Sequence, residues 1–192
     1  MTKAFLCFMP LGLLTSCSPV ETQISPEQVA AKSLPLANKF QQQLQEQLGA
    51  AMKAGGPAKA IEVCHEAAPA IASALAAESG ATIRRVSLRN RNPANVPDTE
   101  ESKVLDQLAS APLDMTGKPA THLWQTESTV HFMRAIPMKE QPCAACHGTK
   151  VAPEIEEKIF ALYPRDKATG YKPGDLRGAI SITWPRAAFE SN

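Results

Sequence analysis

Apolar residues recur at four-residue intervals between Leu36 and about Ala54, at Phe40, Leu44, Leu48 and Met52, which predicts an amphipathic helix. Gly55-Gly56-Pro57 stops that helix, and Pro57 suits the first turn of a second one. In the second helix Ile61, Cys64, Ala68, Ile71 and Leu75 form one apolar stripe. Cys64 falls near the centre of the stripe and His65 toward its edge. Pro69 has no amide hydrogen to donate to the carbonyl of His65, so a kink is expected there. Ala81 to Leu88 reads as a strand, and Arg89 to Asp98, punctuated by Pro93 and Pro97, as irregular chain. Asp98 and Glu101 have the spacing of a capping box, opening a helix through Leu108. Leu123-Trp124 and Thr129 to Ile136 read as strands joined by a short polar turn. Pro153 opens a helix through Leu162, and Gly178 to Trp184 is a last strand with alternation at Ile180 and Ile182. This order predicts an α+β class, an antiparallel sheet with helices packed against it.

Composition narrows the class. The 192 residues suffice for one ordinary domain with a short tail. Lysines and arginines number 20 against 19 aspartates and glutamates. Neither a basic excess nor a basic cluster is present, so no nucleic-acid partner is expected. An apolar share of 44% with 20% charged residues suits a globular domain rather than a disordered chain.

The first residues read as a targeting segment. Lys3 precedes an apolar run from Ala4 through Leu14, too short to span a bilayer and of signal-peptide length. The run ends in Leu14-Thr15-Ser16-Cys17, which resembles a bacterial lipobox. That resemblance implies cleavage before Cys17 and acylation of Cys17, so that lipid holds the protein to a membrane surface without a spanning segment. Ser18 after the cysteine points to the outer membrane. The expected organisation is a lipoprotein signal peptide over 1–16, an N-terminal linker over 17–33 and a domain over 34–192. The expected location is the periplasmic face of a bacterial membrane. Loss of residues 1–16 removes one charge, Lys3, and leaves 19 basic against 19 acidic residues. A neutral chain offers no steering toward a charged partner.

With Cys7 in the signal and Cys17 lipidated, Cys64, Cys143 and Cys146 remain. Cys143-Ala144-Ala145-Cys146-His147 is C-x-x-C-H, the pattern for covalent attachment of haem c. Two thiols add to the two porphyrin vinyl groups, and the adjacent imidazole then reaches the iron from one side. Five cysteines and four histidines in 192 residues rarely produce this pattern by chance. A thioredoxin-like pair would open a helix in a βαβ setting, whereas this motif follows a strand-like run and leads into Gly148. A zinc site needs four ligands, which only Cys64 could complete. A Cys143–Cys146 disulfide would close a very small loop.

After His147 the chain contains no Met, His or Cys. A second axial ligand of those types must therefore come from Met52, Cys64, His65, Met115, His122, His131, Met133 or Met138. Spacing alone does not choose among them, and Cys64 also reads as a small core residue. The two haem propionates require local cations, for which Arg84, Arg85, Arg89, Arg91 and Arg177 are candidates. Trp124, Phe132 and Trp184 are most economically core residues or walls of the haem pocket. Gly170, Gly174 and Gly178 lack the strand–loop–helix order and Lys-Ser/Thr ending of a phosphate loop.

Four stretches together carry a family resemblance. They are Ala60 to Cys64 with Ala68-Pro69-Ala70-Ile71, Arg85 to Asp98, Cys143 to His147, and Tyr163 to Tyr171 with Gly174 to Ser181. They span about Leu36 to Trp184 and resemble the Tll-type c-haem domains, a "domain of unknown function" family with a PAS-like fold. The resemblance implies a PAS-like antiparallel sheet with N-terminal helices around one covalent haem c. It implies His147 on one side of the iron and, on the other, a cysteine from the N-terminal helices, which Cys64 matches.

Two roles follow. A His/Cys-ligated haem whose Cys64 can be displaced suits a redox or gas-ligand sensor that signals to a separate protein. A ligand pair stable in both oxidation states suits a membrane-anchored electron-transfer cytochrome with a redox partner. No distal acid–base constellation supports an enzyme.

Overall fold

A computed structural model describes residues 23–190. The expected signal peptide and Cys17 lie outside the described residues. The chain enters helix α1, Pro26–Ser79, through a capping box in which Ser25 and Gln28 each accept from the other's backbone amide. Then follow β1, Thr82–Val86, a 3-10 turn at Pro93–Asn95 and α2, Thr99–Ser110. The expected Asp98–Glu101 capping box opens α2. Next come β2, Thr121–Gln125, β3, Thr129–Pro137, the single turn α3, Ala144–His147, α4, Pro153–Leu162, and β4, Leu176–Pro185. No helix among the described residues is long and apolar enough to cross a membrane.

Helix α1 is two arms. Its angles leave the helical region only at Gly55 and Gly56, where Gly56 has φ 67° and ψ −162°. Side chains rarely adopt that conformation, so glycine is required for the turn. Pro57 then opens the second arm, as the sequence predicts. The kink expected at Pro69 does not break the helix. An ion pair from Lys39 to Glu78, 2.7 Å, ties the arms together.

The first arm starts ten residues before the predicted Leu36, so part of the expected 17–33 linker belongs to the core. Val29 and Ser33 are fully buried, and the Trp184 indole donates to Ser33 Oγ at 3.0 Å. The helical stripe from Val29 through Ser33 and Ala37 to Phe40 was hidden by a polar residue in an apolar slot. Pro35 also reads as a helix start while lying inside one.

The four strands form an antiparallel sheet in the order β1-β4-β3-β2. Alternation along β3 sorts its side chains between two layers. Val130, Phe132 and Ile136 pack with Phe40, Ile71, Leu75 and Trp184 beneath α1. Met133 and Ala135 pack with Val104, Leu105 and Leu108 beneath α2. Arg134 shares the α1 side, where its guanidinium donates to Asn38, Gln41 and the Ala37 carbonyl. The α+β class with an antiparallel sheet and packed helices is the predicted one.

Candidate functional site

Beyond the covered part of the sheet, an open cleft of about 1370 Å³ lies between the tip of α1 and the segment carrying α3. Cys64, Cys143, Cys146 and His147 all line it, although some eighty residues of sequence separate the first from the rest.

The motif wall is braced by hydrogen bonds. Cys143 takes the N-cap position of α3, and its carbonyl accepts from the His147 amide at 3.0 Å. A Cβ at Gly148 would lie 2.6 Å from the Ala144 carbonyl oxygen, so the turn leaving α3 needs glycine. The segment after α4 docks on this turn. Gly170 donates to the Gly148 carbonyl at 2.8 Å and Tyr171 to that of His147 at 3.0 Å. The Arg91 guanidinium donates to the Cys146 carbonyl at 2.6 Å and pairs with Asp166 at 3.0 Å. Arg89 donates to the Lys167 and Thr169 carbonyls and lies 4.1 Å from the centre of the Tyr171 ring. The Arg85–Asp98 and Tyr163–Tyr171 stretches are thus structural partners of the motif.

His147 Nδ1 lies 2.7 Å from the Ala168 carbonyl oxygen and 3.2 Å from Arg177 Nε. These contacts demand opposite states of Nδ1. The carbonyl can only accept, and its contact is the shorter, so Nδ1 carries the proton and donates. Nε2 is then the unprotonated nitrogen. Burial, followed by the charges of Arg177 and Arg91, holds the imidazole well below its usual pKa and keeps it neutral. A neutral histidine with one ring nitrogen tied to a carbonyl is the usual arrangement of a metal ligand.

The facing wall comes from α1. Leu44, Leu48 and Met52 of the first arm line the cleft with Ala60, Ile61 and Cys64 of the second. The four-residue stripe read from the sequence therefore faces the site. Burial pushes the Cys64 thiol up, opposed by the charges of Arg85 and then Arg91. Burial also raises the Cys146 thiol, with Cys64 and Cys143 adding smaller contributions in the same direction.

The structure sorts the eight candidates for a second ligand. Met52, Cys64 and Met138 line the cleft. Met138 packs with Ala168, Tyr171 and Cys143, on the motif side. His65 is exposed and sets its ring edge-on against Tyr163, outside the lining. Met115 is fully exposed and Met133 is buried beneath α2. His131 stacks on Trp124 at 4.5 Å, and His122 lies beyond that same ring, on the α2 side of the sheet. Trp124, Phe132 and Trp184 are likewise packing residues outside the cleft. Cys64, Cys143 and Cys146 form no disulfide among the described residues. Among the described residues no three Cys, His, Asp or Glu side chains gather as they would around a metal ion.

Of the five arginines considered, Arg84 pairs with Glu101 and Arg89 binds backbone carbonyls, both outside the lining. Arg85, Arg91 and Arg177 line the cleft. Tyr163 was not singled out as a site residue. It ends α4, packs on Ile61 and lines the cleft beside Cys64. The Ala168 carbonyl was not legible either, since a backbone atom leaves no mark in residue type.

The family model described as "Tll0287-like: Tll0287" matches residues 20–185. No curated protein sequence matches the chain. The solved structure described as the crystal structure of the cyanobacterial heme-protein Tll0287 superposes with a TM-score of 0.63 at 26% identity. The match covers 85% of this chain and 98% of that one. The chain belongs to the Tll0287-like family.

Proposed function

We propose that this chain is an exported, lipid-anchored monohaem protein that senses redox state or a small ligand through a His/Cys-ligated haem c. Cys143 and Cys146 would hold the porphyrin as thioethers. His147, through Nε2, and Cys64 would ligate its iron. Haem supplies a one-electron couple and an iron that accepts axial ligands. The observation that carries this reading is one cleft lined by a C-x-x-C-H turn and, from the facing wall, by Cys64, with His147 Nδ1 bonded to the Ala168 carbonyl. The kinship with a heme-protein of the same family supports it.

The two walls differ in a way that favours sensing over plain electron carriage. The His147 wall is fixed by backbone pairing, the Arg91–Asp166 ion pair and the Ala168 bond. The Cys64 end of the second arm leaves a glycine turn and meets α4 by apolar packing and the Lys158–Glu62 pair, while the sheet core takes hold of the arm further along, at Ala67, Ile71 and Leu75. Release of Cys64 would free an element able to move, which a switch requires.

Absorption spectra of the purified protein and of Cys64→Ala, ferric and ferrous, test this. Cys64→Ala should keep haem attached and lose the low-spin thiolate spectrum of the ferric parent. An unaltered ferric spectrum would remove Cys64 from the iron. Thiolate features lost on reduction of the parent indicate a sensor; low-spin ligation unchanged in both states indicates an electron carrier instead.

A further inference from the structure

The charges lining the cleft are one-sided. Three guanidinium groups, those of Arg85, Arg91 and Arg177, reach its wall, and no aspartate or glutamate among the described residues does. Arg91 is neutralised by Asp166, with contacts at 3.0 and 3.4 Å. The other two have no carboxylate partner among the described residues. Arg177 reaches only neutral groups, His147 Nδ1 at 3.2 Å and Ser87 Oγ at 3.4 Å, and lies 5.4 Å from the Tyr171 ring centre. Among the described residues no hydrogen bond forms to the Arg85 side chain. Both side chains are half-buried in the cleft wall. Burial is the largest influence on each and lowers both pKa values, that of Arg177 to about 10.

A desolvated guanidinium without a counter-ion is costly, and chains retain one where a ligand completes the pair. The cleft thus carries two uncompensated positive charges. Haem carries two carboxylates, and guanidinium groups bind carboxylates through paired hydrogen bonds. Resting on the haem reading above, we propose that Arg85 and Arg177 are the two propionate anchors of the cofactor, each neutralising one carboxylate. Arg91 is excluded because its counter-ion is already in place. Arg84 and Arg89 are excluded because they are engaged outside the cleft.

The two anchors stand on adjacent strands of the sheet, Arg85 on β1 and Arg177 on β4. Arg85 is the charge that acts most strongly on Cys64, and Arg177 the one that acts most strongly on His147. Anchoring both carboxylates would hold the porphyrin in the cleft that Cys64 and His147 line.

Resonance Raman spectra of the haem-loaded protein read the propionate bending band, which responds to hydrogen bonding at the carboxylates. Arg85→Met and Arg177→Met should each shift that band to lower frequency. Arg85→Lys and Arg177→Lys should restore part of the shift, and Arg84→Met should leave the band in place. Met variants that fail to load haem while the Lys variants load also support a charge role. A haem-loaded Met pair with the parent's band would overturn the assignment, as would Lys and Met variants that fail equally to load. A parent protein that carries no covalent haem fails earlier, at the proposed function, and is told apart by its lack of colour.

Discussion

Gly148 shows how narrow the tolerance of the motif turn is. Its Cβ would sit 2.6 Å from backbone that α3 cannot move without unwinding. Gly148→Ala should therefore displace His147 and reduce haem attachment, read as the haem-to-protein absorbance ratio after export; a normal ratio would mean that the turn yields freely. Asp166 works at longer reach. It pairs with Arg91 and accepts the Ala168 amide at 3.2 Å, while the Ala168 carbonyl takes the His147 proton. Both members of the ion pair are about nine-tenths buried, each side chain 11% exposed. Asp166→Ala strands a guanidinium, and the destabilisation should approach about 3 kcal/mol in denaturant unfolding. A loss below about 1 kcal/mol would place the pair among surface bridges. The attachment motif was legible from residue type because two thiols and an imidazole leave a fixed spacing. The orientation of His147 was not, since it rests on a backbone carbonyl, and neither was the selection of Arg85 and Arg177 from five arginines, which depends on where the acidic side chains are not.

The elements were read well wherever periodicity and caps agree. The Asp98 box, the alternation along β4 and the glycine break in α1 all stand where hydrophobic pattern and turn chemistry point the same way. The start of α1 escaped because Pro35 imitates a helix start and Ser33 occupies a buried position through its bond to Trp184. The expected kink at Pro69 did not break the helix, because that arm is held by packing on both sides, through Ala67, Ile71 and Leu75 beneath the sheet and Ile61 against α4. Gly56 has open space around an added Cβ but a backbone conformation that is essentially restricted to glycine. Gly56→Ala should cost about 1–3 kcal/mol with no steric contribution, measurable by thermal unfolding. A neutral result would show that the two arms join without strain.

The molecule as a whole assembles one cleft from parts far apart in the chain. The tip of α1 supplies Cys64, β1 and the loop after it supply Arg85 and Arg91, α3 supplies the motif, and the end of α4 supplies Tyr163. Helix and strand patterns predicted the pieces. They could not bring Cys64 to the cleft that His147 lines, because the eight candidate ligands are equivalent in one dimension. Only the path of the second arm across the cleft, with His65 turned outward against Tyr163, separates Cys64 from its neighbour.

The central claim is covalent attachment of a porphyrin to Cys143 and Cys146. Intact-mass spectrometry of the exported protein, denatured to release anything held without bonds, tests it most directly. The account predicts a mass higher by one haem, abolished when both cysteines are replaced by serine. A denatured chain at the mass of polypeptide and lipid alone would contradict it.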